Sequence, residues 1–294
     1  RPPGAGGGGA LYSPKWISST YTLLLLAGIG VPPECAPARR GAQVGFDGLY
    51  GMDAADEVYK RTNEYDQCVA GMWVQLASYF GVGTGRVRVM VKSLLENRMP
   101  DGGWNCRIKS KPRPEHSSFH TTINVLEGLR EAVERRVCSR PGAVLQAEAE
   151  AREMLLRHRL FRSHRTGDII DPRWTLLSYP PRWHYDVLRA LDYFARAGAD
   201  TDPRLQESVD LLVARRRPDG RWPVQQRHKA LEHFSMERTG GPSRWNTLRA
   251  LRVLKWWNSG AGSRQAPAVS AVSRTDPVST QTPSETERTC SIFS

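Results

Sequence analysis

The sequence has no apolar run long enough to cross a bilayer. Its longest candidate, YTLLLLAGIGV at residues 21–31, falls well short of the roughly 18 to 20 residues that a spanning helix needs. The first residues also lack the basic region, apolar stretch and small-residue cleavage site of a secretory signal. We therefore expect a cytoplasmic protein without a transmembrane segment, in which this run forms a core helix.

Cysteine is scarce: the chain has Cys35, Cys68, Cys106, Cys138 and Cys290. An odd number of scattered thiols argues against a disulfide scaffold, because such scaffolds use paired cysteines at close, regular spacing. The sequence instead leaves room for a reduced thiol that binds a metal.

Acidic residues are outnumbered, 30 against 42 Lys and Arg, which gives a formal net charge of +12. The excess is mostly arginine spread along the chain, without a dense basic stripe or a nucleic-acid-binding motif. We expect no nucleic-acid partner. The charge fits solvated helix faces, or a cavity rim that accepts an anion such as a diphosphate.

Alternating strand patterns are missing too, and apolar residues recur at helical spacing instead. Five predicted helices are apolar nearly all round and begin alike, whereas four lying between them are more polar. The apolar helices are predicted over 19–28, 65–80, 119–129, 183–194 and 245–257, and the polar ones over 38–50, 86–99, 143–161 and 203–216. The sequence therefore predicts an all-α protein.

A repeated loop follows two of the polar helices. MPDGGWNC at residues 99–106 matches RPDGRWPV at 217–224, and HRTGDIIDPRW at 164–174 is a degenerate copy. The opening RPPGAGGGGALYSPKW resembles a reduced copy, so the first repeat is predicted to be incomplete. Asp-Gly favours a tight turn and the tryptophan can anchor the loop on the helices, so the loops are first of all structural.

Stacked helix pairs of this kind bury a continuous core, and closing the stack gives an inner and an outer ring of helices. The repeated loops would then gather at one end, where we expect a ligand site. This toroid is predicted over residues 1–258. Residues 259–294, rich in Ser, Thr and Pro, are predicted to be a disordered tail.

These repeats resemble the terpenoid cyclase and protein prenyltransferase superfamily, whose fold is an α/α toroid. The PDGGW and PDGRW loops are similar to the QW repeats of squalene cyclases, and the resemblance covers residues 11–257. Squalene-type cyclases carry an Asp-x-Asp-Asp acid motif, which DAADE at 53–57 does not match. Because a fold hosts many chemistries, the site residues must decide between the two branches.

The β-subunits of protein prenyltransferases hold zinc through Asp-x-Cys at one inner helix start and a histidine at the next. Asp66-Gln67-Cys68 and Phe119-His120-Thr121 resemble that pattern. The resemblance implies a catalytic Zn²⁺ bound by Asp66, Cys68 and His120, with a fourth position open to substrate. Cys106 and His116, in the intervening loop, remain alternative or additional ligands.

Lys60 and Arg61 loosely resemble the residues that hold the diphosphate in that family. An apolar, aromatic cavity inside the inner ring would accept the prenyl chain. Its expected lining comprises Tyr21, Trp73, Phe119, Trp183, Tyr185 and Trp245. His184 occupies a place in its repeat similar to that of His120 and is expected to line the same cavity.

The resemblance thus implies a prenyltransferase-like enzyme that uses an isoprenoid diphosphate or another polyprene, in a family that works with a second subunit. Two other functions stay open: a cyclase-like terpenoid enzyme without the acid motif, and a non-catalytic toroid that binds a lipid or a partner protein. At residue level, Asp66 could instead cap its helix, Cys68 could be a small buried apolar residue, and His120 a core histidine.

Overall fold

The structure is a computed structural model that describes residues 11–64, 66–107 and 110–264. Over these residues it contains ten α-helices and one two-stranded sheet, which confirms the predicted all-α class. The helices are α1 (Ser19–Gly28), α2 (Ala36–Tyr50), α3 (Ala55–Glu64), α4 (Gln67–Phe80), α5 (Thr84–Glu96), α6 (Phe119–Glu134), α7 (Pro141–Arg157), α8 (Val187–Arg196), α9 (Gln206–Ala214) and α10 (Arg244–Arg264). Strands β1 (Trp222–Pro223) and β2 (Pro242–Ser243) pair antiparallel.

The structure differs from the sequence prediction in one missed helix and in several helix bounds. Helix α3 was not predicted, because Val58 and Thr62 are its buried residues and so few make a weak periodic pattern. Helix α8 begins at Val187 rather than at 183. Helix α10 runs to Arg264, so the predicted boundary at 258/259 falls inside it. The remaining residues of the predicted tail, 265–294, lie outside the described part of the chain.

Helices α4 and α6 pack together more extensively than any other helix pair in the described part of the chain, and glycines allow this close approach. A Cβ added to Gly128 would lie 2.3 Å from the Gly71 carbonyl oxygen. A Cβ added to Gly71 would lie 2.7 Å from the carbonyl oxygen of Asn124. Both distances are below contact distance, so larger residues here would force the helices apart.

The contacts of the other helices run mainly between near neighbours in the chain. Helix α4 also packs against α1, α2 and α5, α6 against α7, and α8 against α9 and α10. The chain before α1 meets the loop before α10, where Trp16 Nε1 donates to the His228 carbonyl oxygen at 2.8 Å. An α/α toroid requires contacts of this kind, and that arrangement stays a prediction. Over the described residues, none of the helices is both long and apolar enough to pass through a membrane.

The two complete loop copies are anchored by the same hydrogen bonds. Trp104 Nε1 donates to the Leu94 carbonyl, and Trp222 Nε1 to the Leu212 carbonyl, both at 2.7 Å and both ten residues back. The backbone N–H of Trp104 donates to Thr122 Oγ1 of α6 at 3.0 Å. That of Trp222 donates at the same distance to the hydroxyl of Thr247 in α10. Each loop is thus tied to the helix before it and to the helix after it.

The degenerate third copy is built differently. Asp171 caps a short 3-10 helix over Pro172–Thr175, and Trp174 packs against Phe119 and Tyr185. Its Nε1 is buried without a hydrogen-bond partner among the described residues. This tryptophan therefore belongs to a cavity wall, which is described below, and does not repeat the anchoring of the other two.

We expect Gly128→Ala to destabilise the protein by about 1 to 3 kcal/mol, because the new methyl group would collide with the Gly71 carbonyl. The measurement is urea denaturation followed by far-UV circular dichroism. Gly142→Ala is the matched control, since a Cβ at Gly142 of α7 meets nothing within 4 Å. A Gly128→Ala protein as stable as this control would show that α4 and α6 do not approach so closely.

We expect Thr122→Val to lower the free energy of unfolding by about 1 to 3 kcal/mol. The substitution conserves the shape of the side chain but leaves the buried backbone N–H of Trp104 without its hydrogen-bond acceptor. Thr247→Val should behave similarly at the second copy. The control is Thr84→Val at an exposed position of α5, expected within about 0.5 kcal/mol of wild type. Equal stability of Thr122→Val and the control would argue against the anchoring role.

Candidate metal centre and two cavities

The start of α4 differs from the starts of three comparable helices. At α6, α8 and α10, the side chains of Ser118, Asp186 and Ser243 accept a hydrogen bond from the backbone N–H three residues on. Asp66 holds the corresponding position at α4, yet among the described residues its carboxylate caps no N–H group. The carboxylate of Asp66, an exposed residue, is therefore available to another partner.

Two thiols lie beside this carboxylate. One ligand atom each of Asp66, Cys68 and Cys106 lies within 4.8 Å of the others. Cys68 is in the first turn of α4, and Cys106 follows the loop anchored by Trp104. Donors around a tetrahedral Zn²⁺ at 2.0 to 2.3 Å lie about 3.3 to 3.8 Å apart, so small side-chain movements would complete such a site.

The Cys106 sulfur is a hydrogen-bond acceptor. It accepts from the Cys68 backbone N–H at 3.3 Å and from Thr121 Oγ1, in the first turn of α6, at 3.2 Å. The Cys68 thiol also donates to it, and these bonds lower the pKa of Cys106 below its usual value. Donation to Cys106, together with burial, raises the pKa of Cys68. Of the two thiols, Cys106 is therefore the one that loses its proton more readily.

Burial raises the pKa of Asp66, and the Lys15 ammonium opposes that effect. The set of one carboxylate and two thiols matches the donors that Zn²⁺ accepts, whereas Mg²⁺ and Ca²⁺ prefer oxygen ligands alone. A cation at this point would offset the cost of keeping the carboxylate charged next to a sulfur that accepts hydrogen bonds. Among the described residues, the donor chemistry of this cluster therefore fits zinc.

His120 does not join these donors. Its Nδ1 accepts a hydrogen bond from the Tyr185 backbone N–H at 2.8 Å, so in the neutral ring the proton sits on Nε2. A metal-bound histidine has the opposite arrangement, ligating through one nitrogen and donating from the other. The predicted trio of Asp66, Cys68 and His120 is thus not assembled, and Cys106 takes the third place. His116 is exposed in the loop and is not part of the cluster.

Four other predicted site residues lie away from the cavities described below. Lys60 is exposed on α3, and Arg61 pairs with Glu64 of the same helix at 3.4 Å. Trp73 is fully buried, with its ring against Gly45 and Phe46. Phe119 packs in an aromatic cluster with Trp174 and Tyr185. Trp73 and Phe119 therefore support the core and do not line these cavities.

A cavity of about 400 Å³ lies between five helices, α1, α4, α6, α8 and α10. One side is apolar and is formed by Leu24 and Leu25 of α1 and by Ile29, which directly follows that helix. Tyr21 and Trp245 line it as expected, and Tyr179 stacks on Trp245 with ring centroids 5.7 Å apart. We refer to this space as the central cavity.

The opposite wall of the central cavity is charged, which corrects the expectation of an apolar and aromatic lining. Five arginines and three carboxylates contribute to it, a formal excess of positive charge. Arg189 forms a 2.6 Å ion pair with Glu127. Asp192 is shared between Arg252 at 2.6 Å and the buried Arg249 at 3.5 Å. Arg249 is thus a buried cation whose ion-pair partner, Asp192, also pairs with a second arginine.

Trp183 and His184 line a second cavity, of about 140 Å³, together with Tyr185 and His120. His184 is not the counterpart of His120, because it precedes the capping residue Asp186 by two positions whereas His120 follows Ser118 by two. His228 and Gln226 complete this cavity, and neither residue was expected from the sequence. The one available signal was their place in the loop between Trp222 and α10, which corresponds to the place of Cys106 after Trp104.

We expect Asp66→Ala to leave the stability of chelator-treated protein within about 0.5 kcal/mol of wild type, because no capping bond is lost. Asp186→Ala is the comparison. Its carboxylate is buried and accepts from Ser178 N and Arg189 N, so its removal should cost about 2 kcal/mol. Thermal unfolding measures both. An equal loss of stability in Asp66→Ala and Asp186→Ala would show that Asp66 is an ordinary helix cap.

Comparison of the chain with models of protein families, with curated proteins and with solved structures finds no match.

Proposed function

We propose that this protein is a zinc-dependent, prenyltransferase-like enzyme that acts on an isoprenoid diphosphate. The observation that carries the proposal is the meeting of Asp66, Cys68 and Cys106 at a helix start where the carboxylate does not cap the helix. Structural zinc sites are closed by four protein ligands, whereas catalytic sites keep one position for substrate. Three protein donors therefore favour a catalytic role.

Asp66, Cys68 and Cys106 would hold the metal. When bound, zinc would supply a positive centre that lowers the pKa of an acceptor thiol or water at the open position. Thr121 and the Cys68 backbone N–H hold the Cys106 sulfur in place through their hydrogen bonds. Such outer hydrogen bonds orient metal ligands and limit their exchange with solvent.

The central cavity supports a substrate that is both apolar and anionic. Leu24, Leu25 and Ile29 offer a wall on which a short prenyl chain can be buried, at about 25 cal/mol per Å². The buried Arg249, which shares Asp192 with Arg252, attracts an anionic group to the other wall. The volume of about 400 Å³ lies within the usual range for small-molecule sites and suits a short chain better than a long one.

The toroid arrangement and the need for a second subunit belong to the same proposal. Two features support a closed ring: helices that are near neighbours in the chain pack against each other, and Trp16 before α1 contacts His228 before α10. The subunit is implied by resemblance alone and rests on no feature of the chain. A polyprene other than a diphosphate would leave the positive charge beside Arg249 unexplained, so the diphosphate is the substrate that we favour.

Purified without an affinity tag, the wild-type protein should contain one zinc per chain by plasma mass spectrometry. Cys68→Ser and Cys106→Ser should each weaken zinc binding by at least about tenfold, because each removes a direct ligand. Cys138→Ser is the matched control, since Cys138 lies outside the cluster. His120→Ala should keep its zinc, because its Nδ1 is occupied by Tyr185.

Loss of zinc in His120→Ala with retention in Cys106→Ser would restore the original trio and refute the arrangement described above. Zinc-free wild-type protein that does not take up added zinc would refute the metal centre altogether. Release of diphosphate from geranyl or farnesyl diphosphate, in the presence of a small thiol, tests the activity. It should depend on zinc and fall to background in Cys68→Ser.

A further inference from the structure

The smaller cavity has a chemistry that the proposed function does not use. We call it the histidine pocket; its wall is formed by His120, Asp171, Arg173, Trp174, Trp183, His184, Tyr185, Gln226 and His228. Its volume of about 140 Å³ is close to that of a cavity known to bind benzene in another protein. A flat ligand of about one ring therefore fits it.

The walls of the histidine pocket are aromatic. Trp183, His184 and His228 stack in one column, with ring centroids 3.8 Å and 3.6 Å apart. Trp174 and His120 stand edge-on to one another, with centroids 5.8 Å apart. Flat faces and ring edges of this kind favour an aromatic ligand.

The three imidazoles are neutral. Burial lowers the pKa of His120 to about 4, of His184 to about 3 and of His228 to about 4, with neighbouring positive groups adding to the effect. The close stacking of His184 on His228 is consistent with this, since two charged rings would repel each other. Neutral rings offer one N–H donor each.

The hydrogen bonds of His120 and His228 determine which ring nitrogen carries the proton in each. His120 Nδ1 accepts from the Tyr185 backbone, so its Nε2 carries the proton. Gln226 Nε2 lies 3.5 Å from His228 Nδ1, and an amide donating there leaves the proton of His228 on Nε2 as well. The pocket wall thus holds two imidazole N–H groups.

Four lining residues carry a buried polar atom without a hydrogen-bond partner among the described residues. These atoms are Trp174 Nε1, Trp183 Nε1, His228 Nε2 and Gln226 Oε1. Buried polar groups are nearly always paired, so these four atoms, on residues that line one small cavity, are available to a polar ligand. Three are N–H donors and one is a carbonyl acceptor, which defines the complementary ligand.

We propose that the histidine pocket binds a small aromatic hydroxy acid, whose carboxylate accepts from the indole and imidazole N–H groups while its hydroxyl donates to Gln226. The aromatic walls hold the ring. The ion pair of Arg173 and Asp171, with N and O 2.6 Å apart, lies at the edge of the same cavity. The exposed guanidinium of Arg173 adds attraction for an anion that approaches from solvent.

The histidine pocket adjoins the metal centre. The Thr121 hydroxyl donates a hydrogen bond to the Cys106 sulfur, and His120, the residue before Thr121, lines the pocket. The Lys15 ammonium, which acts on Asp66, lies 5.0 Å from the Trp183 ring centroid. Binding of the acid does not require zinc, however, and is measurable in a zinc-free variant.

Isothermal titration calorimetry tests the proposal with 3- and 4-hydroxybenzoate, benzoate, phenol and orthophosphate as separate probes. At least one hydroxybenzoate should bind about tenfold or more tightly than phenol, which lacks the carboxylate. Benzoate, which lacks the hydroxyl, should bind more weakly than that hydroxybenzoate. Orthophosphate binding more tightly than every acid would overturn the proposal, because the ring would then contribute nothing.

Two variants locate the site. Gln226→Glu places a negative charge near the ligand and should weaken hydroxybenzoate binding about tenfold or more. Trp183→Phe removes one N–H donor while conserving a ring and should weaken it severalfold. The controls are Gln146→Glu on the exposed face of α7 and Trp256→Phe on α10, both expected to bind as wild type does.

Unchanged binding in both Gln226→Glu and Trp183→Phe, with circular dichroism showing folded proteins, would place the ligand elsewhere and overturn the proposal. So would the absence of hydroxybenzoate binding by wild type at millimolar concentration. Zinc-free Cys68→Ser should bind the acid as wild type does. Its binding therefore separates a failure of the histidine pocket from a failure of the proposed metal centre.

Discussion

The close approach of α4 and α6 is the constraint on which the candidate site depends. Because Gly71 and Gly128 have no side chains, the two helices meet backbone to backbone and their first turns become neighbours. Cys106 can then accept at once from the Cys68 amide of one helix and from the Thr121 hydroxyl of the other. A wider helix separation would split these contacts, and the loop thiol would lose its place between the two helix starts.

In the described part of the chain, helix α4 shares an uncapped start with α1, α2, α5, α7 and α9, but its N-cap residue is the one among them that carries a carboxylate. At three other helix starts, a side-chain oxygen of Ser118, Asp186 or Ser243 accepts a hydrogen bond from a backbone N–H of the first turn. The Asp66 carboxylate makes no such bond among the described residues. The four unpaired N–H groups at a helix start favour negative charge nearby, so an uncapped end suits a site that handles thiolates and carboxylates. Side-chain capping thus stabilises three of these helix starts, whereas at the fourth the Asp66 carboxylate stays available to the metal centre that we propose.

The sequence predicted the parts of the fold that follow from periodicity and from the Asp-Gly-x-Trp loops. Nine of the ten described helices were expected, and α3 was missed because little of it is buried. Side-chain partners were harder to predict. The acceptance by His120 Nδ1 from Tyr185, 65 residues away, depends on a backbone amide that no sequence pattern marks. An arginine-rich cavity rim was one of the two interpretations of the charge excess, but its residues around Arg249 were not identified, because Arg249 and Asp192 come from different helices.

Identical anchors enclose stretches of different length. The bond from Trp104 to Thr122 spans 18 residues, and the bond from Trp222 to Thr247 spans 25. The helices on either side are therefore held without regard to how much chain runs between the anchors. Cys106 and His228 both lie in those stretches, so a loop could be exchanged, lengthened or trimmed to change the residues at this end while the helices stay where they are.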